Sequence, residues 1–303
     1  MNIRKILVLA LVAFTVQSAV ADLLVLRPGG TARSALLRFR DRTPQFLGAM
    51  TADTEGFYGA TLGPDGAIYA AANTLGYGDV YRFNRNGELL GRFAGQNLRT
   101  PGNLTFGPDG NLYVISSTWP ESPQQAQVLR YDGSTGAFMD VFVSGPGSGG
   151  AAWLADLDFG PDGNLYACDP QQGILRYNGS TGAFEGIFVP NGRGGLSGPS
   201  AFAFGPDGNL CVCSRESNAV LKFSGRTGAL LRVLVPAGRG GLRGPAGIAL
   251  GRGGYLYISS SLNNRVLRYN ARTGQFVDAF IAAHPQVINP GKLLFVPAAA
   301  AGK

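Results

Sequence analysis

The chain has 303 residues, a formal net charge of +7 and 46 glycines, and only 15% of its residues are charged. A single histidine excludes a zinc site built from several histidines. A length near 300 often indicates two domains, but closed β architectures of this size fold as one.

Residues 1–21 are predicted to be a secretory signal peptide. Arg4 and Lys5 precede the apolar run Ile6–Val16, and Ala19–Ala21 forms a small-residue cleavage site. The alternative is a first buried strand. Cleavage would lower the net charge from +7 to +5, because Arg4 and Lys5 are removed. No later apolar run reaches the roughly 18 residues of a membrane helix. We therefore expect 22–303 to be one secreted or periplasmic domain, and a monomer.

An eight-residue pattern, FGPDGNLY in its clearest form, occurs five times. The copies are Leu62–Tyr69, Phe106–Tyr113, Phe159–Tyr166, Phe204–Cys211 and Leu250–Tyr257. In the second copy, Pro108 presets φ for a type I turn, and Gly110 provides the positive φ that lets a strand reverse. The strand that follows is apolar at nearly every position. The pattern therefore predicts a β-hairpin whose second strand is buried on both faces.

A second pattern, typified by VLRYDGSTGAF, predicts another hairpin. Its six copies are Leu36–Phe46, Val80–Leu89, Val128–Phe138, Ile174–Phe184, Val220–Leu230 and Val266–Phe276. Successive GPDG turns start 44, 53, 45 and 46 residues apart. Four short strands, a to d, in each repeat of this length predict a β-propeller.

The chain ends explain why six second hairpins accompany five first ones. Pro290–Pro297 resembles Pro101–Pro108, which contains strand a, and Asp22–Leu26 resembles Asn111–Ile115, which contains strand b. The sequence therefore predicts an all-β, six-bladed β-propeller with four-stranded blades. The C-terminal strand closes the ring in blade 1 and leaves no exposed edge there.

The segment Tyr255–Phe276 closely resembles the NHL repeat, and the other blades resemble it more loosely. The resemblance implies a propeller with the b–c and d–a loops on one face, here called the top face. Proteins with this repeat include amidating lyases, streptogramin-type lyases and binding modules, and gluconolactonase-like propellers are more distant, so no single function is implied. The lone His284 could act as a general base, but Pro285 and Gln286 follow it rather than a glutamate.

One cation recurs in every second hairpin, at Arg38, Arg82, Arg130, Arg176, Lys222 and Arg268. We expect the stems of these side chains to pack along the blades with their heads in water. Much of the positive charge then belongs to a repeated structural position, so a nucleic-acid partner is not expected. RNA binding through the RGG triplets that begin at Arg193 and Arg239 is the alternative.

The three cysteines are predicted to be buried free thiols. Cys168 and Cys213 occupy the same slot of neighbouring blades, and Cys211 lies two residues before Cys213. Neighbouring sheets pack roughly 10 Å apart, which is too far for the Cα separation of a disulfide.

Polar residues at the start of strand a break the symmetry of the channel. Asn103, Asp156 and Asp158 come from adjacent blades, and their oxygens are ligands that calcium accepts. The opposite blades contribute no carboxylate, so no cofactor is expected, with calcium as the alternative. Asp156 could instead pair with Lys292 across the channel.

The 53-residue step indicates an insertion in the b–c loop of blade 3, assigned to Ser117–Gln127. The two tryptophans lie in this loop and in the next top-face loop. The predicted ligand site comprises Trp119, Glu121, Trp153, Asp156, Asp158 and Asp169. Aromatic rings beside carboxylates suit a sugar or a cationic peptide side chain. Alternatively, the tryptophans plug the funnel.

These features favour an exported binding module for a protein, peptide or carbohydrate over an enzyme. A hydrolase or lyase with a channel-mouth site around Asp156 is one alternative, and a structural component of the cell envelope is another.

Overall fold

The computed structural model describes residues 21–28, 34–74, 77–117, 125–145 and 149–297. Twenty-four strands in these ranges form six four-stranded antiparallel sheets arranged as a β-propeller. This architecture confirms the predicted fold. In the described ranges, no helix is long and apolar enough to cross a membrane. The predicted signal peptide falls on residues 1–20, outside those ranges, and on Ala21, where the first strand begins.

The strands run from the channel outward as a, b, c and d. Blade 1 consists of β24 (Leu293–Pro297), β1 (Ala21–Arg27), β2 (Ala35–Arg40) and β3 (Phe46–Met50). Blade 2 consists of β4 (Gly56–Leu62), β5 (Ile68–Thr74), β6 (Tyr77–Phe83) and β7 (Leu89–Ala94). Blade 3 consists of β8 (Thr100–Phe106), β9 (Leu112–Ser117), β10 (Ala126–Tyr131) and β11 (Phe138–Val143).

The remaining blades repeat the same order. Blade 4 consists of β12 (Asp156–Phe159), β13 (Leu165–Asp169), β14 (Gly173–Tyr177) and β15 (Phe184–Pro190). Blade 5 consists of β16 (Pro199–Phe204), β17 (Leu210–Ser214), β18 (Ala219–Phe223) and β19 (Leu230–Val235). Blade 6 consists of β20 (Pro245–Leu250), β21 (Tyr255–Ser260), β22 (Arg265–Asn270) and β23 (Phe276–Ile281).

Blade 1 joins the two ends of the chain. Strand β24 pairs antiparallel with β1, with Val296 opposite Asp22 and Leu293 opposite Val25. The predicted closure is therefore confirmed. All the other blades are built from consecutive strands.

The strand boundaries in blade 3 differ from the predicted loop. Ser117 pairs with both Thr100 and Ala126, and Gln127 pairs with Ser116, so these residues extend the sheet. The connection between the two strands is therefore shorter than the predicted Ser117–Gln127 and spans 118–125. The sequence prediction ended these strands at their last apolar residues. Backbone hydrogen bonds do not depend on the side chain, so polar residues can extend the pairing.

A tyrosine on strand b anchors most interfaces between blades. In blade 3, Tyr113 packs edge-on against Phe142 of its own blade and Phe159 of the next, with ring centroids 4.9 Å away in both cases. Tyr69, Tyr166 and Tyr257 make the same pair of contacts in their blades. Edge-to-face aromatic pairs of this kind add about 1 kcal/mol each beyond burial.

Blade 5 departs from this pattern because Cys211 takes the place of the tyrosine. Cys168, Cys211 and Cys213 are all buried and free, as predicted. Burial raises the pKa of the Cys211 thiol to about 11, and it raises that of Cys168 as well. These thiols therefore stay protonated at neutral pH and act as small core residues.

The recurring cation differs from its prediction, because each head pairs with a carboxylate instead of lying in water. The pairs are Arg38 with Asp22, Arg82 with Asp65, Arg130 with Asp140, Arg176 with Glu185, Lys222 with Asp207, and Arg268 with Asp278. The partner comes from strand d in three blades and from the inner strands or their turn in the others. No fixed spacing connects cation and acid, so the sequence pattern did not reveal them.

Candidate functional site

The inner strands bring one polar residue from each of three blades together at the top of the channel. Asp156 begins β12, Asn103 lies in β8 of the preceding blade, and Lys292 directly precedes β24 on the opposite side of the ring. The Lys292 ammonium donates to Asp156 Oδ1 at 2.9 Å. The alternative pairing considered from the sequence is therefore what the structure contains.

Glycines let these three side chains meet. Gly59 and Gly247 occupy the matching slots of blades 2 and 6. A Cβ atom on Gly59 would lie 2.5 Å from Asn103, and one on Gly247 would lie 2.1 Å from the carbonyl oxygen of Gly291. The small residues of the other blades therefore leave room for the three side chains. In the alignment of the strands a, these residues were noted only because they cannot act as metal ligands.

Asp156 is almost completely buried and accepts four hydrogen bonds. The Asn103 amide, Lys292 and the backbone N–H of Leu157 donate to Oδ1. The backbone N–H of Phe202 donates to Oδ2 at 3.2 Å. A carboxylate this well satisfied joins blades 1, 3, 4 and 5 and is held in place as a fixed negative charge.

Asp158 lies two residues after Asp156 on β12, deeper in the channel, and has a different environment. Its Oδ1 accepts hydrogen bonds from Thr105 Oγ at 3.0 Å and from the backbone N–H of Phe159 at 2.9 Å. Burial raises the pKa of Asp158, and the attraction of Lys292 and the hydrogen bond from Thr105 oppose that rise. The nearby charge of Asp156 raises it further.

A funnel of about 210 Å³ opens above this cluster on the top face. Five blades contribute to its wall the residue just before the position that matches Asp156: Gly291, Tyr58, Ala155, Ser200 and Ala246. In blades 2, 5 and 6, a β-bulge at this position turns the extra residue towards the funnel. Tyr58 is the one large side chain of the five, and it is 42% exposed.

Two cations and an amide complete the funnel. Lys292, Arg215 and Asn289 all line it. Arg215 is held by a hydrogen bond from its guanidinium to Ser261 Oγ at 3.1 Å. Since Asp156 is already paired with Lys292, the lining carries a net positive charge and an exposed aromatic ring.

The residues predicted from the sequence occupy separate places. Asp156 and Asp158 share the channel cluster with Asn103. Asp169 is buried and caps the b–c turn of blade 4, where it accepts the backbone N–H of Gln171 at 2.7 Å and of Gln172 at 3.0 Å. Trp153 is 45% exposed and is not among the residues that line the funnel. Trp119 and Glu121 lie outside the described residues.

Sequence reasoning missed Tyr58 and Arg215. Tyr58 could have been found by aligning the residue directly before the Asp156 position in each blade, because the other blades have small residues there. Arg215 follows strand b of blade 5 in a loop with no repeated charge, so the pattern contained no signal for it.

His284 lies elsewhere, against the rings of Phe39 and Phe46 at centroid distances of 5.3 and 4.9 Å. It is not among the funnel-lining residues. Among the described residues, no three His, Cys, Asp or Glu side chains form a group that could hold a metal ion. At Asp156, the Lys292 ammonium and the Asn103 amide group both donate to Oδ1, and the backbone N–H of Phe202 donates to Oδ2.

No protein-family model matches the chain, and no curated protein matches it. Solved structures do resemble it. A chain in the crystal structure of a nidogen/laminin complex has a TM-score of 0.68 at 15% identity, over 91% of this chain and 98% of that one.

Two bacterial enzymes are also similar. The periplasmic gluconolactonase of Pseudomonas aeruginosa has a TM-score of 0.61 at 19% identity, over 92% of this chain and 99% of its own. The virginiamycin B lyase of Staphylococcus aureus has a TM-score of 0.56 at 19% identity, over 84% and 81%. Identities this low show the fold alone, and they place the chain among the six-bladed β-propellers.

Proposed function

We propose that the chain is an exported binding module that takes a protein, peptide or carbohydrate ligand in the top-face funnel. The observation that carries the proposal is the state of Asp156. Its oxygens are occupied by four donors, and one of these is a cation. Such a carboxylate organises the floor of a binding site but is poorly placed to abstract a proton.

The funnel wall supports recognition rather than chemistry. Tyr58 offers an aromatic face on which a sugar ring or an apolar side chain can pack. Arg215 and Lys292 offer donors to carboxylate or hydroxyl oxygens. A concave surface with a few converging polar groups is typical of ligand sites, and the net positive charge of the lining favours acidic ligands over neutral ones.

The neighbouring propellers agree with either a binding or a catalytic role. The structure of the nidogen/laminin complex contains a propeller in a protein assembly, whereas the gluconolactonase and the lyase are enzymes. The NHL resemblance, the signal peptide and a monomeric state are parts of the same proposal. No resident cofactor is included in it.

The proposal is tested by calorimetric titration with acidic and neutral oligosaccharides and with acidic and basic tetrapeptides. We expect at least one acidic compound to bind. Tyr58→Ala should weaken that binding about tenfold, the usual effect of losing an aromatic contact. Tyr77→Ala is the matched control, because Tyr77 is 73% exposed and is not among the funnel-lining residues.

Trp153→Ala separates the funnel from the predicted tryptophan site. If Trp153→Ala weakens binding while Tyr58→Ala and Arg215→Ala leave it unchanged, the ligand binds at the loop and the funnel proposal is wrong. Failure of every compound in the panel to bind would also contradict it.

A hydrolase or lyase is the second candidate, and Asp158 favours it. Asp156 and Asp158 are neighbouring carboxylates in unlike environments, and the pKa of Asp158 is raised by burial. Pairs of this kind can divide acid and base roles. Hydrolysis of glucono-1,5-lactone that is lost in Asp158→Asn, with an unchanged melting temperature, would favour this candidate over the binding module.

A further inference from the structure

The bottom face, which carries the a–b turns, has its own break in symmetry. In blades 2, 3 and 4 the aspartate of the GPDG turn accepts a hydrogen bond from the tyrosine of strand b. The pairs are Tyr69 with Asp65 at 3.0 Å, Tyr113 with Asp109 at 2.9 Å, and Tyr166 with Asp162 at 2.9 Å. In blade 5, where a cysteine replaces the tyrosine, Asp207 accepts from Lys222 instead.

Blade 6 keeps the donors and lacks the acceptor. Its turn reads GRGG, so Gly253 stands where the other turns have aspartate. Tyr257 and Arg268 are nevertheless present in their usual slots. The Tyr257 hydroxyl reaches Asp41 of blade 1 only at 3.4 Å, and Arg268 Nη1 reaches that hydroxyl at 3.5 Å. Both distances exceed the 2.9–3.0 Å of the complete Tyr–Asp pairs.

A cavity of about 260 Å³ lies at this position. Besides Gly253, its lining consists of Asp41, Arg42, Arg252, Tyr255, Tyr257 and Arg268. Three arginines thus face one carboxylate. Arg42 and Arg252 are exposed, and neither forms an ion pair with a described residue.

The donors are held rigidly. The Arg268 guanidinium lies 4.9 Å from the ring centroid of Tyr255, and its Nε and Nη2 groups donate to the Asp278 carboxylate. The Tyr257 ring is fixed between Phe280 and Phe295, at centroid distances of 5.1 and 5.0 Å. Preorganised donors lose little conformational entropy when an anion binds.

We propose that this cavity, between blades 6 and 1, binds a carboxylate that takes the place of the missing turn aspartate. The Tyr257 hydroxyl and the Arg268 guanidinium donate to the ligand, and Arg42 and Arg252 neutralise its charge. The class of ligand is a small carboxylate, either a free dicarboxylic acid or the aspartate side chain of a partner peptide. The site is independent of the top-face funnel.

The test uses succinate as the probe and succinamide as its neutral analogue, with binding followed by calorimetry. We expect succinate to bind and succinamide not to bind. Tyr257→Phe keeps the packed ring and removes one donor to a charged group, which should weaken succinate binding by about tenfold or more. Tyr113→Phe is the matched control, because Asp109 already fills that site, and it should leave the affinity unchanged.

A second variant returns the carboxylate to the motif. Gly253 has a φ of +70°, a region that aspartate tolerates better than most residues. Gly253→Asp should abolish succinate binding, with the fold checked by circular dichroism. Titration with the blocked peptide acetyl-Gly-Asp-Gly-amide identifies the source, since the tighter of the two compounds represents the natural class. No binding of either carboxylate, equal affinity for succinamide, or equal weakening by Tyr113→Phe would overturn the proposal.

Discussion

Lys292 and Asp156 form an ion pair in which one partner is buried and the other lines the funnel. The Asp156 side chain is 3% exposed and that of Lys292 is 20% exposed. Removing the cation would leave a buried carboxylate with only neutral donors. Breaking such a pair costs far more than breaking an exposed one, because the remaining charge cannot reach water.

We therefore expect Lys292→Met to lower the free energy of unfolding by about 3 kcal/mol, measured by urea denaturation. Lys222→Met is the matched control. Its partner Asp207 has a side chain that is 47% exposed, so the loss there should stay below about 1 kcal/mol. Equal losses in the two variants would mean that Asp156 is solvated and does not hold the channel together.

The same pair shows what the sequence could predict at this scale. Alignment of the strands a placed Lys292 opposite Asp156, because a six-fold ring fixes which slots face each other. It could not reveal that Asp169 turns into its own loop or that Arg215 enters the funnel. Loop conformation depends on local hydrogen bonds, such as those from Gln171 and Gln172, and these leave no repeat signature.

The GPDG turn is the element that is repeated most faithfully, and its aspartate makes it sensitive to acid. Asp109 accepts the backbone N–H of Asn111 at 3.1 Å and the Tyr113 hydroxyl at 2.9 Å. Partial burial alone would raise the pKa of Asp207, but the hydrogen bonds that Lys222 and Asn209 donate outweigh it and lower that pKa to about 2. The pKa of Asp65 and of Asp109 is lowered in the same way.

A carboxyl with a lowered pKa in the folded state stabilises the protein above its unfolded pKa, near 3.8, and this contribution disappears as the pH falls. We therefore expect the free energy of unfolding to decrease between about pH 4 and pH 2, the window set by Asp207. Asp207→Asn should flatten that decrease by less than about 1 kcal/mol, because the group is half exposed. A steeper decrease in the variant than in the parent chain would contradict the assignment.

At this scale the sequence predicted the turn but not the ion pairs around it. Each recurring cation pairs with a carboxylate, but the partners come from different elements. Asp140 and Asp278 lie on strand d, whereas Asp65 and Asp207 lie in the a–b turn. Long arginine side chains reach either direction, so the partner is decided by packing in each blade. The missing turn aspartate of blade 6 is visible in the sequence GRGG, but the cavity beside Tyr257 and Arg268 is visible only in the structure.

The whole molecule depends on one strand that comes from the far end of the chain. Without β24, strand β1 would expose an unpaired edge towards the channel. We expect a chain that ends at Asn289 to lose cooperative thermal unfolding and to aggregate, as followed by circular dichroism and light scattering. A chain that ends at Pro297 is the matched control and should melt like the full chain. Cooperative melting of both would mean that closure is dispensable.

The fold was predictable because six copies of one pattern report the same structure independently, and the unequal count of hairpins located the closure. The funnel and the bottom cavity were less predictable, because each arises where a single residue, Tyr58 or Gly253, departs from its slot. A repeated sequence predicts the structure that its copies share, but it does not predict what happens where one copy differs from the others.

The closure of blade 1 also determines when this blade can be completed during biosynthesis. Strand β1 is made first, yet its inner partner β24 is made last, after five complete blades have been synthesised. Blade 1 therefore cannot be completed until the other five blades have been synthesised. Until β24 is available, the inner edge of β1 is an unpaired strand edge of the kind that makes partly folded chains prone to aggregate.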